Sequence, residues 1–268
     1  MYIRFYKYEG AGNDFIIIDD RHGRVSLSAE QIAVLCDRRF GVGADGLILL
    51  QLCREADFKM VYFNADGRES SFCGNGGRCI ADFAFYVLRI TEPVMKFMAS
   101  DGLHEAEILP ENRIALTMRP VQHIQFFDDH YILNTGSPHY IQMVENVQAF
   151  DVFTEGRKIR RRAEFSPEGI NVNFLQKSGS GNFLRTYERG VEDETFACGT
   201  GVTAAAIVLS GKQTGHFEMP VTTKAGHQFQ VSYDKKSPET AENIILTGPV
   251  RLVFQGETKT EDNEILRQ

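Results

Sequence analysis

The 268-residue sequence predicts an α/β (α+β) protein of two pseudosymmetric domains, each a mixed sheet wrapped around a central helix. Three observations predict it. First, Phe63-Asn-Ala-Asp-Gly-Arg-Glu-Ser-Ser-Phe-Cys73-Gly-Asn-Gly is repeated about 125 positions later as Tyr187-Glu-Arg-Gly-Val-Glu-Asp-Glu-Thr-Phe-Ala-Cys198-Gly-Thr-Gly, with one extra residue. Second, Gly10-Ala-Gly-Asn13-Asp-Phe pairs with Asn134-Thr-Gly-Ser137-Pro-His139 at nearly the same offset, and Gly43-Ala-Asp-Gly-Leu-Ile-Leu with Gly169-Ile-Asn171-Val-Asn-Phe-Leu. Similarity at one period and in one order is the mark of a duplicated unit. Third, each Cys-Gly-x-Gly opens an apolar helical pattern, while other stretches alternate apolar and polar residues as half-buried strands do.

The elements follow in order. Ala65-Asp-Gly is a turn signal, and after Cys73 the residues Ile80, Phe83, Ala84, Val87 and Leu88 recur at helical spacing. Lys96-Phe-Met-Ala and Arg113-Ile-Ala-Leu-Thr-Met read as strands, with a second turn at Ser100-Asp-Gly. A boundary near Arg119-Pro120 gives domains at residues 1–119 and 120–255. Arg157-Lys-Ile-Arg-Arg-Arg162 is flanked by Glu155, Glu164 and Glu168 and reads as a solvated loop. Val202-Thr-Ala-Ala-Ala-Ile-Val-Leu is apolar all round, as a buried central helix is, and Gly211 is its stop. Phe229-Gln-Val-Ser-Tyr, Asn243-Ile-Ile-Leu-Thr and Arg251-Leu-Val-Phe read as strands. The polar tail, residues 256–268, is expected to cross back to the first domain.

Composition excludes several classes. Hydrophobic residues at 43% and charged residues at 24% are ordinary globular values, not those of disorder or a coiled coil. A net charge of −7 argues against a nucleic-acid binder. No apolar run approaches the roughly 18 residues of a membrane helix, and the first residues lack the apolar core of a secretory signal. Five cysteines are an odd, sparse set, so no disulfide framework and a reducing, cytoplasmic setting are expected. With no Cys-x-x-Cys and no His-x-x-x-His, no metal site is expected. Cys36, Cys53 and Cys79 read as small buried hydrophobes.

Cys73 and Cys198 differ, because each precedes a helix. A helix start carries unpaired N–H groups and partial positive charge. It favours a thiolate and can seat a substrate carboxylate. The glycines at 74, 76, 199 and 201 allow close approach of a ligand to the backbone. One such motif alone would equally be a plain helix cap or an anion-binding turn. Neither a Gly-x-x-x-x-Gly-Lys-Ser/Thr loop nor a Gly-x-Gly-x-x-Gly turn is expected, and so no nucleotide loop. Two such cysteines in duplicated halves suggest domains that face each other across a cleft, one thiol on each side of a ligand. That suits inversion of a carbon centre, with a base on one face and an acid on the other.

At these residues the sequence resembles the diaminopimelate epimerases, pyridoxal-independent amino-acid epimerases, over nearly its whole length. The matching segments are Gly12-Asn13-Asp14-Phe15, Arg39-Phe-Gly-Val-Gly-Ala-Asp45, Phe63-Asn64-Ala-Asp-Gly, Cys73-Gly-Asn75-Gly, Gly136-Ser137-Pro138-His139, Asn171-Val-Asn-Phe, Glu188-Arg189-Gly, Ala197-Cys198-Gly-Thr200-Gly and Thr247-Gly-Pro249. The resemblance implies that Cys73 and Cys198 are the catalytic thiols. It implies that Gly74-Asn75 and Gly199-Thr200 hold the reacting carboxylate, and that Asn13, Asn64, Asn171 and Arg189 bind substrate, Arg189 at the distal carboxylate. Glu188 and His139 are implied to orient the amino group and tune the thiols. No cofactor is implied, and a homodimer is. The implied reaction converts LL- to meso-diaminopimelate for lysine and for peptidoglycan precursors. Two positions depart from the family pattern: Ser137 stands where many members have asparagine, and Gly46 where many have glutamine. A serine hydroxyl can still donate to the distal end. The second domain reads as somewhat short, the loss expected around residues 145–165.

Taken singly, Asn13, Asn64 and Asn171 are ordinary turn or capping residues, Glu188-Arg189 an ordinary surface pair and His139 an ordinary structural histidine. Shared offsets and the family match favour the site. Two other functions fit parts of the pattern. A proline or hydroxyproline epimerase on the same fold would have no use for a distal-carboxylate arginine. A thiol redox or ligand-binding module would pair Cys73 and Cys198 in a reversible disulfide.

Overall fold

The structure is a computed structural model that describes residues 2–70, 72–179 and 181–259. It divides into two compact units, one reaching Leu116 and resuming at Val250, the other spanning Thr117–Pro249. Both boundaries fall earlier than the expected 119 and 255, for a local reason. Met118 N donates to Ile244 O and Val121 N to Ala241 O within the second unit, whereas Val250 N donates to Asn112 O within the first.

In the first unit come β1 (Tyr2–Gly10), β2 (Asn13–Asp19), α1 (Ala29–Cys36), β3 (Gly46–Gln51), β4 (Phe58–Asn64), α2 (Gly74–Asp82), β5 (Val94–Ala99), β6 (Gly102–Leu109) and β7 (Arg113–Thr117). The second holds β8 (Ile124–Phe126), β9 (His130–Asn134), β10 (Pro138–Met143), α3 (Val152–Arg160), β11 (Asn171–Ser178), β12 (Gly181–Glu188), β13 (Asp193–Thr195), α4 (Gly199–Leu209), β14 (Gly215–Thr222), β15 (Gln228–Lys235) and β16 (Glu242–Pro249). The chain then returns to the first unit as β17 (Arg251–Lys259), antiparallel to β1. Residues 260–268 of the expected crossing tail lie outside the described residues.

The two units share one topology. The first runs β17–β1–β2–β3–β4–β5–β6–β7, parallel only at β2/β3 and β4/β5. The second runs β8–β9–β10–β11–β12–β14–β15–β16, parallel only at β10/β11 and β12/β14. Register repeats as well: Phe15 pairs with Gly46 and Leu47 with Phe63, as His139 pairs with Asn171 and Val172 with Tyr187. Only the outermost strand differs in origin, coming from the end of the chain in one unit and directly before β9 in the other.

Strand pleat sorts the core into two layers. Ile16, Ile18, Leu47 and Leu49 pack with Ile32 and Leu35 of α1, as Tyr140, Val172 and Phe174 pack with Val152 and Ile159 of α3. The alternate residues face the central helices. α2 touches β1, β2, β3, β4 and β6, and α4 touches β9, β10, β11, β12, β14 and β15. Residues Val202 to Leu209 of α4 are all buried, which is why their apolar character shows no stripe. After α2 the chain continues as a π-helical segment, Phe83–Leu88, and ends with Arg89 in the left-handed region.

Two expectations are corrected. The basic run at 157–162 is helix through Arg160, not a loop. Residues 152–160 form α3, capped by Asp151, whose carboxylate accepts from Thr154 N. Val152, Gly156 and Ile159 are its buried side, hidden by the charges between them, and a Cβ at Gly156 would stand 2.4 Å from Tyr187 Cβ. Gly41-Val-Gly-Ala-Asp-Gly46 does spell Gly-x-Gly-x-x-Gly, but it leads into strand β3, not into a helix, and so lacks the geometry of a dinucleotide turn.

Candidate functional site

Both thiols sit at the N-cap of their central helix in nearly one backbone conformation. Cys73 has φ −113° and ψ 117°, Cys198 φ −115° and ψ 110°, and neither side chain caps its helix. Both cysteine carbonyls accept the first helical bond, from Gly77 N at 2.8 Å and Val202 N at 2.9 Å. The helix-start field predicted from sequence is therefore present at each sulfur. Cys198 is buried and Cys73 half-buried.

Around Cys73, β2 supplies Asn13. Its Oδ1 receives the thiol at 3.6 Å and Asn75 Nδ2 at 3.3 Å, while its Nδ2 donates to Asp45 at 2.6 Å. Asp45 belongs to a charge network with Asp14, Arg38 and Lys7, with Arg38 making 2.7 Å contacts to both aspartates. Lys7 is buried, 2.6 Å from Asp14, and also donates to Gly43 O. Burial alone would raise the Asp14 carboxyl, but bonds from Arg38 and Lys7 outweigh it and hold it at about 2. This network fixes Asn13, and the sequence reading did not include it. Its signal was the charged Asp14 and Asp45 beside expected site residues. Asn75 lies in the first turn of α2 and accepts from the wholly buried Arg78 at 2.7 Å. Asn64 stands exposed at the end of β4, opposite Gly46. A Cβ at Gly74 would meet only Leu116, at 3.8 Å, so this part of the backbone is open to approach.

In the second unit Cys198 Sγ lies 3.4 Å from Thr200 Oγ1, and Thr200 O is held by Thr135 Oγ1 at 2.8 Å. Asn171 bridges its neighbours. Its Nδ2 donates to Ser137 Oγ at 2.7 Å and Pro138 O at 3.1 Å, and its Oδ1 accepts from Arg189 N at 2.9 Å. The structure thus gives Asn171 a positioning duty, with Ser137 left its own O–H to donate. Glu188 ends β12 and accepts from Thr195 Oγ1 at 2.8 Å. Arg189 reaches Glu168 O at 3.4 Å. His139 is fully buried on β10, and burial followed by the Arg189 charge pushes it down to about 3.

The expected residues thus gather in two clusters, Asn13-Cys73-Asn75 in the first unit and Ser137-Asn171-Arg189 with Cys198-Thr200 in the second. Repeat equivalence sharpens this. Asn13 and Ser137 each follow a glycine of positive φ, Gly12 at 88° and Gly136 at 109°, so one turn presents both. Among the described residues no group of three His, Cys, Asp or Glu is placed to hold a metal ion.

The diaminopimelate epimerase family profile matches residues 5–124 and 131–253. A diaminopimelate epimerase of Flavobacterium psychrophilum is 44% identical over 258 residues, 94% of this chain and 99% of that protein. One of Chlorobaculum tepidum is also 44% identical, over 92% of this chain and 98% of that protein. Among solved structures, a phenazine biosynthesis protein of the PhzF family from Bacillus anthracis superposes with TM-score 0.75 at 16% identity, covering 97% of this chain and 99% of that one. A probable proline racemase from Agrobacterium radiobacter gives 0.70 at 15% identity, covering 98% and 94%. These structural likenesses show a shared fold. On the family match and the near-complete alignment with its members, the chain belongs to the diaminopimelate epimerase family.

Proposed function

We propose that the protein epimerises LL-2,6-diaminopimelate to the meso isomer, with Cys73 and Cys198 as the acid–base pair. The observation that carries this is the thiol pair itself: two cysteines at equivalent N-caps, each with a neighbouring hydrogen-bonding side chain, Asn13 for one and Thr200 for the other. Epimerisation requires one thiolate to take the α-proton from one face while the other thiol returns a proton to the opposite face. In the reverse direction the roles exchange. First-turn amides of α2 and α4, with Asn75 and Thr200, would bind the reacting carboxylate and stabilise charge that builds on it as the proton leaves. The Arg189 guanidinium suits the distal carboxylate, which it can grip bidentately. Ser137 would donate to the same end, and Asn64 and Glu188 would bind the polar groups between. Members of the family suggest the wider setting, in which the protein is cytoplasmic, homodimeric, and serves lysine and peptidoglycan-precursor synthesis.

The test is incubation of the purified protein with LL-diaminopimelate in heavy water. The reading predicts appearance of the meso isomer with deuterium at a single α-carbon. The single label belongs to the first-turnover product, since LL-diaminopimelate is symmetric and reversal labels its other end in turn. No meso isomer, or no exchange with this substrate while proline exchanges, would refute the reading.

A further inference from the structure

Beneath the first turn of α4 lies a layer of polar side chains where the first unit has an apolar one. His139, Asn173 and Thr186 are buried, at 0%, 0% and 3% exposure. Ladder register gives their counterparts as Phe15, Ile48 and Tyr62. Gly76 rests on Phe15, Ile48 and Met60, whereas Gly201 rests on His139 and Asn173. The same scaffold therefore seats its central helix on hydrocarbon in one unit. Seating a helix does not require the polar layer.

The hydrogen bonds of this layer run in one direction. Thr186 Oγ1 donates to Asn173 Oδ1 at 2.9 Å. Asn173 Nδ2 faces Tyr140 O at 3.1 Å, and a carbonyl can only accept, so the amide nitrogen is on that side. That nitrogen also lies 3.0 Å from His139 Nδ1. Nδ1 is thereby an acceptor, and the proton of a neutral ring is left on Nε2. Among the described residues, buried Nε2 meets no hydrogen-bond partner, a disfavoured state for an ordinary buried donor. The ring edge adjoins the thiol helix: a point at the Cβ position of Gly201 is 3.4 Å from His139 Cε1, 3.4 Å from Cys198 Cβ and 2.6 Å from Asn173 Oδ1.

We infer that Asn173 and Thr186 are positioning residues that lock His139 as its Nε2–H tautomer, so that His139 serves the Cys198 end of α4 as a fixed hydrogen-bond donor and not as a proton acceptor. This rests on the proposed proton transfer at Cys198. It narrows the thiol-tuning role that family resemblance implies for His139. Burial of the ring acts in the same direction, keeping it neutral at the pH of catalysis.

The experiment is nitrogen NMR of the full-length protein with labelled histidine, alongside steady-state kinetics on diaminopimelate. The wild type should show His139 with a protonated Nε2 and an unprotonated Nδ1 throughout the neutral range. In Asn173→Asp the carboxylate accepts where the amide donated, so the proton should move to Nδ1, with kcat down about 10²-fold or more, as wrong-tautomer histidines elsewhere lose, and KM little changed. Thr186→Val, a near-isosteric change, should leave a mixture of tautomers and an intermediate kcat. A wild-type His139 protonated on Nδ1, or an Asn173→Asp protein that switches tautomer and keeps full turnover, would overturn the inference. The NMR result does not depend on substrate, so a wild type inactive on diaminopimelate but showing the Nε2–H ring would count against the proposed function alone.

Discussion

Ser137 departs from the family pattern and still presents a polar group at the same turn. Its oxygen accepts from Asn171 Nδ2 at 2.7 Å, which orients the hydroxyl and leaves its proton to point elsewhere. Asn171 is itself held by Arg189 N, so one asparagine aligns two expected contacts to the distal carboxylate. Removing the hydroxyl with Ser137→Ala should cost about 0.5–1.5 kcal/mol of substrate binding, seen as a severalfold rise in KM with kcat nearly unchanged. An equal fall in kcat and kcat/KM would instead place Ser137 at the reacting centre. Asn13 and Asn171 stood out as expected site residues because the repeat aligned their segments and the family motifs cover both. What could not be read was how each amide is spent, since hydrogen-bond direction depends on neighbours such as Asp45 and Pro138 that sequence does not place.

At the scale of elements, the close fit of helix on sheet separates the two units. A methyl at Gly76 would meet the flexible ends of Ile48 and Met60 at 3.0 Å, which can shift. A methyl at Gly201 would stand 2.6 Å from Asn173 Oδ1, inside a directed hydrogen-bond chain that cannot shift without breaking. Gly201→Ala should therefore destabilise by about 1–3 kcal/mol, more than Gly76→Ala, by chemical denaturation at constant m. Equal losses would mean that the polar layer is as compliant as hydrocarbon. The central helices were legible from apolar runs behind Cys73 and Cys198. Helix α3 was not, because Arg157, Lys158 and Arg160 mask a narrow buried side of Val152, Gly156 and Ile159. Its counterpart α1 shows the same position filled by a more apolar segment with a Ser28–Gln31 capping box.

For the whole molecule, duplication explains why one topology recurs with different chemistry inside, and acid stability should record that difference. His139 is held near 3 in the fold against an ordinary 6.5, so unfolding takes up a proton as pH falls below 6.5, and native stability drops steadily toward pH 3. Asp14 has the depressed carboxylate pattern. Its contribution is full above 3.8 and is lost toward 2. Urea melts at falling pH should show the first decline in the wild type and a shallower one in His139→Phe, which copies Phe15 of the first unit. Unchanged slope would show that His139 titrates normally. The repeat offset was enough to read two like domains, and Arg251-Leu-Val-Phe was legible as a strand with a tail returning to the first domain, but its pairing with β1 was not, because nothing in the segment names its partner strand. The account stands or falls on two thiols working opposite faces of one carbon, and single-thiol variants test that most directly. With Cys73→Ala and Cys198→Ala in heavy water, neither should interconvert LL- and meso-diaminopimelate, the rate falling by about 10²–10⁴. Each should still exchange the α-proton of one epimer, and the two variants should choose opposite epimers. Exchange of the same epimer by both, or full turnover by either, would contradict the account.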